Sequence, residues 1–298
     1  MNILVVMDTD AKQRQWFETA AEGAKVTFCP GDGSDAGAAL EEADVIIGNV
    51  EPKLVSKAKN LKWLQLNSAG ANTYCQPGIL PDGVLLTNAT GAYGLALSEH
   101  MLALTMAMMK KLYVYHDNQH QSLWQDEGPV TSFYGATVVV VGFGDIGRNF
   151  GRRVKALGAQ VIGLRRRKGE VPPEADEMGD MAHFEDYLSR ADIVASCLPD
   201  TPETYRIYNK ERFMAMKKGA FFVNVGRGSN VDQEALREAV LSGHLAGAGL
   251  DVTDPEPLAV DGSFCGRRKG IYITPHISGG YHPARRRTTT SPVSPLTT

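Results

Sequence analysis

The sequence predicts an α/β protein made of two doubly wound parallel sheets joined by a helical segment. Short apolar runs alternate with polar, helix-compatible segments, which is typical of strand–helix–strand crossover units. This alternation occupies the first part of the chain and begins again after residue 135. Between the two regions lies a long apolar segment without an internal proline or glycine.

The first region predicts one sheet with its crossover helices. Apolar runs bounded by polar residues predict strands at "NILVVM", "AKVTFC", "DVIIGN" and "LKWLQLN". Helices are predicted between them at "DAKQRQWFETAAEG", "DAGAALEEA" and "EPKLVSKAKN".

The connecting segment, residues 95–121, predicts one continuous Met-rich helix. Its apolar residues cover more than one helical face, so it is expected to be buried. Core packing is the favoured interpretation, and a surface buried by a second subunit stays open.

The second region predicts another wound unit. The strand "ATVVVVGFG" is followed by the helix "DIGRNFGRRVKALG" and by a second strand, "AQVIGLR". Further strands are predicted at "DIVASCLP", "AFFVNVGR", "AGAGLDV" and "GIYITPH", with helices at "ERFMAMKK" and "DQEALREAVLSG".

Composition narrows the function classes. The 298 residues carry a net charge of −3, so the chain lacks the basic field that nucleic-acid binding uses, and no nucleic-acid partner is expected. The first apolar run is too short for a signal-peptide core, and no stretch reaches membrane-spanning length, which predicts a cytoplasmic protein without a membrane partner. The four cysteines are scattered and lack metal-ligand spacing, so we expect reduced thiols and no metal site.

A glycine motif stands between the first strand and helix of the second region. It follows G-x-G-x-x-G and consists of Gly142, Phe143, Gly144, Asp145, Ile146 and Gly147. In this setting Gly142 permits a tight turn, Gly144 lets a pyrophosphate approach the backbone, and Gly147 lets the helix pack closely on the strand. The helix amides would then face the phosphates. The motif in this context indicates dinucleotide binding rather than an ordinary glycine-rich turn.

Positive charge ends the next strand. In an NAD site this strand ends in an acidic residue that accepts hydrogen bonds from the ribose, whereas here the position is Arg165, followed by Arg166, Arg167 and Lys168. Arginines pair well with a phosphate on the ribose 2′-oxygen, so NADP is the preferred cofactor and NAD stays possible. A solvated surface loop is the alternative interpretation.

Three ionisable residues lie at predicted strand ends: Arg227, Glu256 and His276. Ligands bind beyond the carboxyl ends of strands in doubly wound sheets, so the three are candidates for one crevice. Taken singly, each has a structural alternative: an ion-pair anchor, a turn residue between prolines, and a hydrogen-bonded loop histidine.

Taken in order, "GFGDIGRNFG", "LPDTPETY", "NVGRGSNVD", "GAGLDVTDPEPL" and "ITPHISGG" resemble the D-isomer-specific 2-hydroxyacid dehydrogenases. The chain is most similar to the glyoxylate/hydroxypyruvate reductase and phosphoglycerate dehydrogenase-like branch. The resemblance implies a flavodoxin-like substrate lobe at 1–96 and an NAD(P)-binding Rossmann lobe at 97–276. It also implies a homodimer.

The resemblance assigns roles to matching residues. Arg227 would hold the carboxylate and carbonyl oxygen of a small 2-oxoacid, and His276 would exchange a proton with that carbonyl oxygen. Glu256 would pair with His276 and favour its charged imidazolium. Backbone donors at Ser68, Ala69 and Gly70 would also hold the substrate carboxylate. The dinucleotide would be contacted by Leu198, Pro199, Thr204, Val225, Gly226 and Asp251, the last of these through the nicotinamide amide.

Glyoxylate or hydroxypyruvate is the preferred substrate. The alternatives are an NAD-linked D-3-phosphoglycerate or other D-2-hydroxyacid dehydrogenase, and a catalytically impaired nucleotide-binding regulatory protein. Cys197, His244 and His100 are interpreted as structural. The family's helix after His276 is replaced by "HPARRRTTTSPVSPLTT", so we expect an atypical, disordered tail at 277–298, explained by an altered or frameshifted C-terminus.

Overall fold

The computed structural model describes residues 1–258 and 270–280. They form two compact units, one of Met1–Ala92 and one that begins at Tyr93. The predicted boundary between residues 96 and 97 lies in the first turn of the helix that opens the second unit. The division into a substrate lobe and a cofactor lobe stays a prediction. Most of the predicted tail at 277–298 lies outside the described residues, which end at 280.

The first unit is a five-stranded parallel sheet in the order β2-β1-β3-β4-β5, which is the flavodoxin-like order and confirms the predicted fold class. Its central strands bury Leu4, Ile46 and Leu64 almost completely. A capping box, in which Asp10 and Gln13 bond each other's backbone amides, begins the first helix. The elements are β1 (Asn2–Val6), α1 (Ala11–Ala20), β2 (Lys25–Cys29), α2 (Ala38–Glu41), β3 (Val45–Gly48), β4 (Trp63–Gln65) and β5 (Leu85–Thr87).

The second unit is a seven-stranded parallel sheet in the order β8-β7-β6-β9-β10-β11-β12, a Rossmann arrangement that confirms the prediction. Its helices are α3 (Gly94–Met109), α4 (Leu112–His120), α5 (Asp145–Ala156), α6 (Phe184–Arg190), α7 (Lys210–Ala215) and α8 (Gln233–Leu241). Its strands are β6 (Thr137–Val141), β7 (Gln160–Arg165), β8 (Glu177–Asp180), β9 (Ile193–Ser196), β10 (Ala220–Asn224), β11 (Leu245–Leu250) and β12 (Ile271–Ile273).

The strand order reverses between β6 and β9. After β6 the chain adds β7 and β8 on one side, and then returns to place β9 on the other side of β6. The loops that leave β6 and β9 therefore diverge at the carboxyl edge of the sheet and leave a crevice between them. All strands are parallel, so the loops after β10, β11 and β12 emerge at the same edge.

The Met-rich segment differs from its prediction in one respect. It forms two helices, because Lys111, the N-cap of α4, takes a left-handed conformation with φ of 54° and separates α4 from α3. Core packing of α3 is confirmed, since Met101, Leu104 and Met108 are buried in the same apolar cluster as Val138 and Val140 of β6. In the described part of the chain, no helix has both the length and the apolar character needed to cross a membrane.

Candidate active site

The glycine loop after β6 has the shape that a pyrophosphate requires. Gly142 has φ of +92°, and a Cβ there would lie 2.7 Å from the carbonyl oxygen of Cys197 on the neighbouring β9 loop. A Cβ at Gly147 would lie 2.5 Å from the Gly142 oxygen. At Gly144, in contrast, a Cβ would meet nothing within 4 Å. The space above Gly144 is open, whereas the other two glycines are needed for close packing.

The amino end of α5 points at this open space. Gly144 is its N-cap and supplies no side-chain hydrogen bond, so the first amides of the helix, from Asp145 and Ile146, are not capped by a side chain. The Asp145 carboxylate bonds the Asn149 amide on the next turn of the same helix. The first amides of α5, next to the open space at Gly144 in the glycine loop, are therefore suited to bind the phosphates of a dinucleotide.

Arg165 ends β7 and also contacts the glycine loop. Its Nε donates to the carbonyl oxygen of Phe143 at 2.8 Å, and the buried Phe143 ring fills the space above Gly163 of β7. Arg166 and Arg167 follow at the same strand end and are exposed. The structure therefore brings predicted cofactor residues from two separate strands together at one loop.

The loops after β9 and β10 also approach each other closely. A Cβ at Gly226 would lie 2.5 Å from the carbonyl oxygen of Leu198. The Pro199 carbonyl accepts hydrogen bonds from the Thr204 hydroxyl at 2.7 Å and from the Asn230 side-chain amide at 3.1 Å. These bonds fix the predicted cofactor residues of the β9 loop, and Val225, buried directly after β10, belongs to the same wall.

Arg227 lies in the loop after β10, where a glycine allows close packing. Its guanidinium donates to the carbonyl oxygen of Gly226 at 2.7 Å, and its own carbonyl accepts from the Asn224 side chain at 2.9 Å. A Cβ at Gly228 would lie 2.0 Å from the backbone of Thr253, which lies in the loop that carries Glu256. Only glycine permits this contact between the Arg227 and Glu256 loops.

Glu256 and His276 form the predicted pair. His276 Nδ1 lies 2.8 Å from Glu256 Oε2, and the other carboxylate oxygen accepts from the Thr253 amide at 2.9 Å. The side chains are 50% and 38% exposed, so the pair is open to a small molecule. Because Nδ1 is used by the carboxylate, Nε2 is the nitrogen left for a ligand.

The remaining predicted residues are also located. Asp251 is fully buried after β11, and its carboxylate accepts hydrogen bonds from the turn that carries His276. Ser68, Ala69 and Gly70 follow β4 in the first unit, where the Ser68 hydroxyl donates to the Gly70 carbonyl at 2.8 Å and Asn88 donates to the Ala69 carbonyl at 2.7 Å.

The structural interpretations of two further residues agree with their surroundings. His244 Nε2 lies 3.1 Å from the carbonyl oxygens of both Phe213 and Met216, where it joins α7 to the loop after α8. Burial raises the pKa of the Cys197 thiol to about 12. Among residues 1–258 and 270–280, no group of three or more His, Cys, Asp or Glu side chains is placed to hold a metal ion.

Residues 102–278, which include the glycine loop and the Glu256–His276 pair, match the family model described as "D-isomer specific 2-hydroxyacid dehydrogenase, NAD binding domain". The chain belongs to this dehydrogenase family. A nicotinamide dinucleotide is therefore the cofactor class of the second unit.

Individual members of the dehydrogenase family align along nearly the whole chain. The D-3-phosphoglycerate dehydrogenase of Mycobacterium leprae is 31% identical over 294 residues, or 96% of this chain and 55% of that protein. The chain thus spans about half the length of this curated relative.

Two solved structures extend the comparison. A D-isomer specific 2-hydroxyacid dehydrogenase family protein from Aeromonas salmonicida superposes with a TM-score of 0.81 at 30% identity, covering 93% of this chain and 89% of that one. The NADPH-dependent glyoxylate/hydroxypyruvate reductase from Sinorhizobium meliloti, solved with NADP and sulfate, gives a TM-score of 0.77 at 26% identity, covering 94% and 90%.

Proposed function

We propose that the protein is an NADP-preferring reductase that converts glyoxylate or hydroxypyruvate to the corresponding 2-hydroxyacid. The observation that carries the proposal is the 2.8 Å contact between His276 and Glu256. This pair lies beside the loop of Arg227, in the same unit as the glycine loop. An acid–base group, an anion-binding guanidinium and a dinucleotide site are the three parts that carbonyl reduction requires.

Each part has a defined task in the proposed reaction. Arg227 binds the substrate carboxylate and polarises the carbonyl oxygen, because a planar guanidinium matches a planar anion. The assignment of the Ser68, Ala69 and Gly70 backbone donors to a substrate carboxylate rests on the family resemblance alone. A nicotinamide cofactor held at the glycine loop would supply hydride for the carbonyl carbon. His276 transfers its Nε2 proton to the carbonyl oxygen, and Glu256 stabilises the imidazolium before the transfer.

The preference for NADP rests on the end of β7. Arg165, Arg166, Arg167 and Lys168 place positive charge next to the glycine loop, where a 2′-phosphate would add negative charge. The carboxylate opposite Arg165 in the sheet belongs to Asp180, and it already accepts hydrogen bonds from the Ala182 amide and from His183. Oδ1 of Asp180 is thus engaged within its own turn, and the residue that ends β7 is an arginine rather than an acidic acceptor for the ribose hydroxyls.

The test is NADPH and NADH oxidation, followed in parallel by absorbance with glyoxylate and with hydroxypyruvate. Faster oxidation of NADPH is the expected result. His276→Ala should abolish turnover while NADPH binding persists. The matched control is His183→Ala, which removes another exposed histidine paired with a carboxylate, Asp180, at 2.9 Å. Equal rates for His276→Ala and the wild type would refute the assigned acid–base role.

A second candidate is NAD-linked oxidation of D-3-phosphoglycerate or another D-2-hydroxyacid, favoured by the 31% identity to the enzyme of that name from Mycobacterium leprae. D-3-phosphoglycerate with NAD therefore belongs in the same assay. Measurable cofactor binding without turnover of any of these acids would instead indicate the nucleotide-binding regulatory function.

We also propose that the protein is a homodimer. Leu112, Leu123 and Trp124 of the second unit are exposed, and the Trp124 side chain is completely so. Light scattering should give twice the chain mass for the wild type and the single mass for Trp124→Glu. Trp16→Glu, at an exposed tryptophan of the first unit, is the matched control and should stay dimeric. A monomeric wild type would contradict the proposal.

A further inference from the structure

The backbone at His276 is held in an unfavourable conformation. Its φ is 53°, in the left-handed region that residues with a Cβ seldom occupy. The His276 amide bonds two carbonyl oxygens, that of Asp251 at 2.8 Å and that of Thr274 at 3.0 Å. A strained residue at a candidate site persists only where neighbouring groups fix it, so the contacts of residues 274–278 decide where the imidazole points.

Asp251 supplies most of these contacts from the interior of the sheet. Its side chain is 0% exposed. Oδ1 accepts from the Ile277 amide at 3.0 Å, and Oδ2 accepts from the Ser278 amide at 3.0 Å. One buried carboxylate therefore holds the backbone immediately after His276, and hydrogen bonds to an ionised acceptor are stronger than those between neutral groups.

Thr274 and His100 complete the network on the other side of the turn. The Thr274 hydroxyl lies 2.6 Å from Asp251 Oδ1 and donates its only proton there. His100 Nε2 lies 2.9 Å from the same hydroxyl, whose oxygen then acts as the acceptor. His100 must therefore carry a proton on Nε2. The contact joins α3 to the end of β12, across 174 positions of the chain.

We propose that Asp251, Thr274 and His100 are positioning residues that hold His276 in its proton-transferring orientation. The inference rests on the proposed function for its kinetic consequence. Thr274 stands at the centre, because its hydroxyl bonds both the Asp251 carboxylate and the His100 ring. Loss of this hydroxyl removes its hydrogen bonds to Asp251 and to His100. The amides of Ile277 and Ser278 still donate to the Asp251 carboxylate.

The experiment compares three threonine variants in the NADPH oxidation assay. Thr274→Val keeps the shape and removes the hydroxyl, Thr274→Ser retains the hydroxyl, and Thr105→Val removes another buried hydroxyl, which bonds the Met101 carbonyl in α3. Thr274→Val should lower kcat about tenfold or more, because small misplacements of a reacting group are costly. KM for the oxoacid and the NADPH Kd should change by less than about twofold, since the Thr274 hydroxyl is not assigned to binding either molecule.

Thr274→Ser should recover most of the lost kcat, and Thr105→Val should match the wild type. A kcat for Thr274→Val within about twofold of wild type, or an equal loss in Thr105→Val, would overturn the proposal. Serine rescue separates loss of positioning from a general loss of folding.

A second measurement does not depend on turnover. Amide hydrogen exchange of the peptide that covers residues 271–280 should accelerate about tenfold in Thr274→Val and stay unchanged in Thr105→Val. Should the wild type reduce neither oxoacid, the proposed function fails, and accelerated exchange would still support the positioning network. Unchanged exchange in Thr274→Val would refute the network whatever the activity.

Discussion

Alanine at two positions of the glycine loop should separate folding from cofactor binding. At Gly142 the added Cβ would lie 2.7 Å from the Cys197 oxygen, 2.8 Å from its carbon and 3.2 Å from the Leu198 nitrogen. All three are backbone atoms, so no side chain can rotate away. The left-handed φ costs a residue with a Cβ about 1–2 kcal/mol. Overpacking adds about 1–3 kcal/mol.

The expected result for Gly142→Ala follows from these values. A loss of about 1–4.5 kcal/mol remains after the smaller unfolded-state entropy of alanine returns about 0.5–1 kcal/mol. At about 2–4 °C per kcal/mol, Tm falls by about 2–18 °C. Gly144→Ala has φ of −88° and open space around the new methyl group, so its stability should stay within about 0.5 kcal/mol of wild type.

Binding should show the opposite order of effects. The methyl group of Gly144→Ala occupies the space assigned to the pyrophosphate, and the NADPH Kd should rise about tenfold or more, equivalent to at least about 1.4 kcal/mol. Thermal unfolding and NADPH fluorescence titration of both variants provide the two measurements. Equal stability losses in the two variants would refute the packing argument, and unchanged NADPH affinity in Gly144→Ala would refute the assigned pyrophosphate position.

Two further predictions concern ionisable groups. The Glu174 carboxylate, 9% exposed, lies 2.9 Å from Arg152 and 3.0 Å from Arg148. Glu174→Gln should lower the free energy of unfolding by about 1–2 kcal/mol. The loss is limited because both arginines keep contact with water. The Arg152 hydrogen bond, aided by Arg148, lowers the pKa of Glu174. The greater stability of the wild type is therefore present above the pKa of Glu174 in the unfolded chain and is lost as pH falls through its pKa in the folded protein. Urea unfolding of both proteins at a series of pH values measures this difference. Because burial raises the pKa of Cys197 to about 12, Ellman's reagent at mildly alkaline pH should modify exposed Cys75 and leave Cys197 intact, and peptide mass mapping would contradict this by finding a modified Cys197.

The sequence carries the parts of the fold that depend on local pattern. The valine run of β6, the glycines of its loop and the start of α5 are adjacent in the chain, so one motif specifies them together. β8 is different, because Glu177–Asp180 has no apolar run and becomes a strand through its pairing with β7. The break at Lys111 was also unpredictable, since neither proline nor glycine stands there.

The candidate site divides in the same way. The pairing of Glu256 with His276 is predicted by family motifs that identify both residues. The contact of Thr274 with His100 has no signal in the sequence, because it depends on how α3 packs against the sheet. The sequence indicates only a structural role for His100, and its hydrogen bond to the turn of His276 is visible only in three dimensions.

The hydrogen bond from Arg165 to the Phe143 carbonyl limits how coenzyme preference can be redesigned. A glutamate or aspartate at position 165 would introduce the ribose acceptor typical of NAD enzymes, yet it would also remove the donor that anchors the glycine loop. A single substitution at position 165 would thus change the coenzyme preference and also loosen the glycine loop. Arg166 and Arg167 are exposed at the same strand end. Substituting these two residues before Arg165 would therefore disturb the glycine loop less.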